Sequence, residues 1–377
     1  MNVLWHSHSP TVLSGYGALT KAFTPRLKQA GYPVTISACF GREGGPLRNR
    51  EGIVELPHGI DPYGNDVIRS HARYAHADLV LSVLDPDGLD WLVWSSVPWA
   101  AWLPPSGGQI SNAALRVLCG ARWVIAMSHQ DEQQLRLAHF NPWYVPPAID
   151  TTVYKPTDRG QAREELSCLL DRELNDGFVV MATPSSDALD NGQLGRLFSV
   201  FADFSTDSPE ALLYLHPRQG IDWDEAAFMA MAERFGIADK VLLAPRYPLL
   251  TGLVGPTVMN QLYNAADVFL HLERAGTDLM ALAAQSAGCP VIMTEQSAES
   301  EVCSVGWKVT EPQQSLAALQ ASYGMRQSAH SRVLRQLAHE RALTYDINRV
   351  LMLSLAPALS RIATELRGVR RPQELSV

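Results

Sequence analysis

Asn260–Val309, NQLYNAADVFLHLERAGTDLMALAAQSAGCPVIMTEQSAESEVCSVGWKV, decides the fold. It reads as a helix over Asn260 to Ala265, a buried strand over Asp267 to Leu272 and a Gly-containing turn over Arg274 to Thr277. A helix over Asp278 to Ala287 and a second strand over Pro290 to Thr294 follow. A strand, a tight turn and a helix whose N-terminus faces the strand's carboxyl end form the anion-binding half-unit of parallel α/β sheets, because unpaired N–H groups and the helix dipole converge there. A ligand phosphate is therefore expected near Gly276 and Thr277.

Outward from that stretch, the 377 residues are too many for one ordinary core and predict at least two domains. An apolar fraction of 46% with 19% charged residues is that of a soluble globular chain. A net charge of −8 provides no global basic field for nucleic acid, and the only tight basic run is Arg367 to Arg371. The five cysteines are scattered without C-x-x-C or metal-ligand spacing, so they are expected as buried free thiols in a reducing, cytoplasmic setting. No apolar run approaches the roughly 18 residues of a spanning helix, so no membrane span is expected.

From the start, Asn2 to His6 reads as a strand, Ser14-Gly15-Tyr16-Gly17 as a glycine loop, Ala18 to Gln29 as a helix and Val34 to Phe40 as the next strand. This is a βαβ opening with a right-handed crossover, and its glycines permit close backbone approach, to a ligand or to the chain itself. Strands follow at Gly52 to Leu56, Ala77 to Leu84, Ala100 to Leu103 and Trp123 to Ser128, with Ser128 placed to cap the helix Gln130 to Ala138. Asp85-Pro-Asp87 has the D-x-D spelling of a metal-bound sugar nucleotide, but Pro86 and Gly88 favour a turn with capping carboxylates. Asp85 sits at a strand's carboxyl end, where open sheets place ligands. Four of the nine tryptophans fall between Trp91 and Trp102, as core packing or as sugar-stacking rings. His6, His8, Arg122 and His129 read as ordinary surface or capping residues or as the lining of an acceptor cleft. After Tyr144, VPPAIDTTVYKP reads as a linker, and a second α/β series begins at Gly177. The expected domains are 1–150, 151–345 and a helix within 346–377 that crosses back to the first domain.

Two α/β halves, the linker VPPAIDTTVYKP and the block YNAADVFLHLERAGTDLMALAAQSAGCPVIMT together resemble the retaining GT-B glycosyltransferases, glycosyltransferase group 1. HGIDPYGNDVI, ADLVLSVLD and ALLYLHPRQGIDWDE are similar to a subset of that group common in phage and environmental sequences. The resemblance implies two Rossmann-like doubly wound domains facing a central cleft. It implies a nucleoside-diphosphate sugar, UDP- or GDP-linked, held mainly by the second domain, and transfer with retention and without metal to an acceptor on the first. That acceptor is unnamed: a modified phage DNA base, a protein or a glycan. Asp278, Glu273 and Asp85 are the expected catalytic groups. Nucleotide-sugar contacts are expected from Gly15, Tyr16, Gly17, Ser185, Asn191, His216, Arg218, Arg246, Tyr247, Gly276, Thr277, Leu279 and Glu301.

The chain departs from the group's pattern in three places. The group's two glutamates fall on Ala275 and Ala283. The Arg and Lys of the loop after the second domain's first strand are missing from Ser185 to Asn191, leaving Arg196, Arg218 or Arg246 to face a diphosphate. The subset's P-V-D-H appears as Pro104-Pro105-Ser106-Gly107. Losing the Arg and Lys removes preorganised charge stabilisation for the diphosphate, worth roughly 2.7–4 kcal/mol per donor. The alternative is therefore a catalytically inactive GT-B module that serves as a scaffold for a partner protein.

Overall fold

In a computed structural model of the chain, the described residues are 1–174, 177–184, 192–217, 224–272, 279–297 and 299–370. They divide into two compact units, Met1–Ala148 together with the segment that begins at Tyr345, and Ile149–Thr344.

Unit 1 is built on an eight-stranded sheet: β1 (Val3–His8), β2 (Val34–Phe40), β3 (Leu47–Arg48), β4 (Val54–Leu56), β5 (Leu79–Ser82), β6 (Trp99–Leu103), β7 (Trp123–Ala126) and β8 (Trp143–Tyr144). The order is β3-β4-β2-β1-β5-β6-β7-β8, parallel throughout except where β3 pairs antiparallel with β4. β1 pairs with β2 on one side and β5 on the other, so the direction of winding reverses between β1 and β5. Helices cover both faces, which is why Val3 to Trp5 and Leu79 to Leu81 are buried without polar alternation. Trp94, Trp99 and Trp102 lie fully inside, which settles the tryptophan cluster as core; Trp91 is exposed.

Unit 2 carries six parallel strands: β9 (Phe178–Ala182), β10 (Ala211–Leu215), β11 (Val241–Leu243), β12 (Val268–His271), β13 (Val291–Thr294) and β14 (Gly306–Val309). Their order is β11-β10-β9-β12-β13-β14, so the reversal falls between β9 and β12. Phe178, Phe198, Phe201 and Phe204 pack between β9 and the helix Gln193–Thr206.

Several expectations are corrected. The first helix runs Gly15–Gln29 and not from Ala18, because Ser14 is its N-cap and accepts from the Gly17 N–H. The two glycines thus sit in the helix's first turn instead of in a loop. Trp143–Tyr144, just before the linker, forms a short strand parallel to β7 that the sequence does not announce. Short helices at Trp91–Trp94 and Asn112–Leu118, and strands β3 and β14, carried too little periodicity to be read. Ile347 to Leu366 is not one uniform helix: Ile347–Val350 leads into a π-helical turn, Leu351–Leu355, and then the helix Ala356–Arg370. This segment fastens to unit 1, where Arg26 donates to Asn348 and Trp123 Nε1 to Glu365. Of the five free cysteines only Cys39, Cys289 and Cys303 are buried; Cys119 and Cys168 are exposed.

Candidate functional site

Open parallel sheets bind ligands outside the carboxyl ends of their strands, at the point where winding reverses. In unit 1 that point lies between β1 and β5. His8 ends β1, and its Nδ1 lies 2.9 Å from Ser14 Oγ. The same Ser14 Oγ accepts from the Gly17 N–H at 3.1 Å, so one hydroxyl both caps the helix and holds the His8 ring. Burial lowers the His8 pKa to about 4, so the ring is neutral at pH 7. Tyr16 packs edge-on against His8 at 5.1 Å between ring centroids, and Phe40 lies 5.3 Å from the other side of the ring.

Across the reversal, Asp85 follows β5 and accepts a 2.7 Å hydrogen bond from the Tyr16 hydroxyl. Asp85 is solvent-accessible, yet desolvation pushes its carboxyl above the ordinary aspartate range; Tyr16 opposes this, and Asp87 and Asp131 add to it. The D-x-D spelling separates in space: Asp87 accepts from Ser111, and Asp85 stands before a short 3-10 turn without capping it. The turn reading stands, but the capping role does not.

The position of the missing P-V-D-H chemistry is held by a carboxylate that sequence reading overlooked. Asp131, buried in the first turn of the helix His129–Leu137, accepts from Ser106 Oγ at 2.5 Å, from Ser106 N at 2.9 Å and from Ser128 Oγ at 2.8 Å. Ser128-His-Gln-Asp131 spells a capping box, the local signal that would have found it.

Other candidates fall away. Gly17 has no room for a ligand, since a Cβ there would overlap the carbonyl oxygens of Val12 and Ser9. The close approach is to the chain itself. His6 is fully buried, bonded to the Tyr63 carbonyl at 3.0 Å and to Ser37 Oγ at 2.9 Å, with Ser37 passing on to His71 at 2.8 Å. It anchors the loop at residues 58–67 instead of lining a cleft. Arg122 lies over Trp123 at the start of β7, the wrong end of the strand, and His129 stacks on Tyr144 and pairs with Glu132.

In unit 2 the reversal between β9 and β12 is flanked by Thr183, just past β9, and His271, the last residue of β12; both are buried. Among the described residues, Thr183 Oγ1 has no hydrogen-bond partner, nor does Thr294 Oγ1 at the end of β13. His216 follows β10, is bonded through Nδ1 to Tyr214 at 3.1 Å, and is kept neutral by burial, with its pKa near 4. It supplies a neutral polar group and no cation.

Leu279 precedes the helix Met280–Ser286 in a left-handed conformation, φ 56° and ψ 22°, which costs a non-glycine residue roughly 1–2 kcal/mol. A leucine cannot cap, and the Leu282 N–H of the first turn is satisfied by Glu299 Oε2 at 3.1 Å. Glu299 is 2% exposed. Ala283 is buried in this helix, so the carboxylate at its start comes from a residue that no local pattern announces. Glu301 is half-buried beside it in sequence, and Arg196, Arg246 and Tyr247 are exposed. Glu273, Gly276, Thr277, Asp278, Ser185, Asn191 and Arg218 lie outside the described residues. Among the described residues, no group of three or more His, Cys, Asp or Glu side chains is arranged to hold a metal ion, and no helix is long and apolar enough to cross a membrane.

Two parallel-sheet Rossmann-like domains of this order define the GT-B architecture. The fold matches sucrose-phosphate synthase from Thermosynechococcus elongatus with a TM-score of 0.74 at 14% identity, over 98% of this chain and 100% of that one. A glycosyltransferase from Rickettsia africae matches at 0.70 and 13% identity, over 97% and 98% of the two chains. An E. coli trehalose-6-phosphate protein solved with UDP-2-fluoro glucose matches at 0.64 and 12%, over 96% and 99%. In sequence, 172 aligned residues are 30% identical to a D-inositol 3-phosphate glycosyltransferase of Segniliparus rotundus, taking in 42% of this chain and 35% of that protein. No family model matches the chain.

Proposed function

We propose that the chain is a glycosyltransferase that moves a sugar from a nucleoside diphosphate, UDP or GDP, to an acceptor hydroxyl with retention and without a resident metal. The observation that carries the reading is the set of buried polar groups at the winding reversal of unit 2, Thr183 with its unpartnered hydroxyl, His271 and the Glu299-capped helix. It stands in a fold shared with sugar-nucleotide enzymes and is supported by the partial sequence match to a glycosyltransferase. In this reading unit 2 takes the donor and unit 1 the acceptor. The bond from the anomeric carbon to the diphosphate breaks, a bond to the acceptor oxygen forms, and the acceptor proton leaves with the diphosphate. Negative charge grows on the diphosphate, and this reading assigns its stabilisation to the N-terminus of the 14-residue helix Gln193–Thr206 and to Arg196 in its first turns.

Calorimetric titration with UDP, GDP, dTDP and ADP is expected to show binding of at least one; a flat response to all four overturns the reading. The buried Ala283, in a helix that carries no acid of its own, favours one competing function, a GT-B scaffold for a partner protein. Recovery of a stable protein partner, together with no donor hydrolysis, would establish it.

A further inference from the structure

The only tight basic run of the sequence holds Arg367, Arg370 and Arg371 and begins in the segment that returns to unit 1; the donor reading makes no use of it. The helix Gly15–Gln29 packs against that segment and carries Lys21, Arg26 and Lys28 with no acid. Residues 347–370 add Arg349, Arg361, Arg367 and Arg370 against a single acid, Glu365, which accepts from Trp123 Nε1. Together these adjoining elements hold seven cations and one acid, a net charge of +6 in a chain whose total is −8. Lys21, Arg349, Arg361 and Arg367 are exposed, and among the described residues none of the four forms an ion pair. The same segment leaves apolar side chains outside. Leu351, Leu355, Leu359 and Ile362 are buried, whereas Met352 and Leu353 are 65% and 66% exposed. They stand in the π-helical turn Leu351–Leu355, an interruption of α-helices that recurs at functional sites, and Arg349 lies one turn before them.

We propose that this face of unit 1 docks on an anionic lipid bilayer, with Met352 and Leu353 at the boundary between headgroups and acyl chains and Lys21, Arg349, Arg361 and Arg367 against lipid phosphates. Two features select that occupant. Cations outside ion pairs, gathered on two adjoining elements of an acidic protein, turn that side toward a negative surface, and each Lys or Arg near such a surface adds attraction. Nucleic acid offers the same charge but no place for an exposed Met-Leu pair; a bilayer buries both, as it does the apolar face of interfacial helices. The segment's other apolar side chains are buried within unit 1, so the attachment is shallow and reversible, and the helix Ala356–Arg370 lies on the bilayer without crossing it. The inference does not depend on the glycosyltransferase reading.

Flotation of the full chain with lipid vesicles tests it. Vesicles of phosphatidylcholine with about 30% phosphatidylglycerol are expected to bind at least about tenfold more tightly than pure phosphatidylcholine, and raising the salt from about 0.1 to about 0.5 M is expected to release the protein. Arg349→Glu combined with Arg361→Glu, both at exposed positions, should weaken binding to the anionic vesicles by at least about tenfold with the circular dichroism unchanged. Met352→Ser combined with Leu353→Ser should weaken it several-fold and leave the salt dependence intact. Equal affinity for charged and neutral vesicles, no binding to either, or a charge-reversed variant that binds like the parent overturns the inference. Duplex DNA bound more tightly than the anionic vesicles, with no response to the serine substitutions, assigns the face to nucleic acid and overturns it as well. The donor reading is untouched by any of these results, because the nucleotide titration tests it separately.

Discussion

The two winding reversals are the same topological device filled with opposite chemistry. In unit 1, the ends of β1 and β5 present accessible rings and carboxylates: Ser14 caps a helix and holds His8, and Tyr16 in the same first turn donates to Asp85 from across the sheet's winding reversal. In unit 2, the ends of β9 and β12 present the buried polar side chains of Thr183 and His271, the Thr183 hydroxyl without a partner among the described residues, and buried Glu299 reaches a helix start from 17 residues away. Exposed carboxylates and rings offer acceptors and apolar surface. A buried hydroxyl left unpaired costs about 1–3 kcal/mol, so Thr183 suits a ligand that brings its own acceptor. The fold supplies the place, and local residues decide which substrate each place takes.

The comparison is most exposed to acid. Each unit keeps one fully buried histidine neutral, His6 in unit 1 and His216 in unit 2, with pKa lowered from 6.5 to about 4. Between those values the unfolded chain takes up protons that the folded one refuses, so stability falls as pH drops from 6.5 toward 4, by on the order of 3 kcal/mol for each histidine. Urea unfolding at stepped pH should show this in both units, and His6→Gln should weaken the dependence of the unit 1 transition, where His8 still contributes, and leave that of unit 2 unchanged; a pH-independent midpoint would contradict the neutral-histidine assignment. Next in size, Gly17→Ala forces a methyl into the Val12 and Ser9 carbonyls and should cost about 3 kcal/mol in the unit 1 transition while leaving nucleotide affinity unchanged. A selective loss of nucleotide binding would reassign Gly17 to the donor. Glu299→Gln, which weakens a charge-assisted cap, should destabilise unit 2 by about 1–2 kcal/mol and reduce sugar-nucleotide affinity in calorimetry. The smallest effect is expected from Tyr16→Phe. Stability should change by less than about 1 kcal/mol, but the Asp85 carboxyl, having lost the hydrogen bond that favours its ionised form, should titrate higher still by NMR.

Much of this was legible beforehand. The alternation of apolar runs with 3.6-period segments placed the main strands of both sheets, because strands covered on both faces have to be apolar throughout. Ser128 was read as a cap because a capping side chain acts within three residues of itself, and Asp131 was open to the same reasoning. Glu299 was not, since its hydrogen bond to the Leu282 N–H is fixed by how a loop folds back and by nothing in its immediate neighbours. The same limit applied to Tyr16 and Asp85, which lie 69 residues apart. Each was picked out singly for its position after a strand, and their pairing came only with the fold.

The return of the chain to unit 1 at Tyr345 has a consequence for how the protein is made. Arg26 and Trp123 find their partners Asn348 and Glu365 across 322 and 242 residues, so during synthesis the first sheet emerges long before the segment that packs on its first helix. Unit 2 is continuous in sequence and closes with shorter loops, so it can become native while unit 1 still waits with apolar surface uncovered. The unit built first is thus the unit finished last, and the nascent chain has to keep it from aggregating through the whole production of its neighbour.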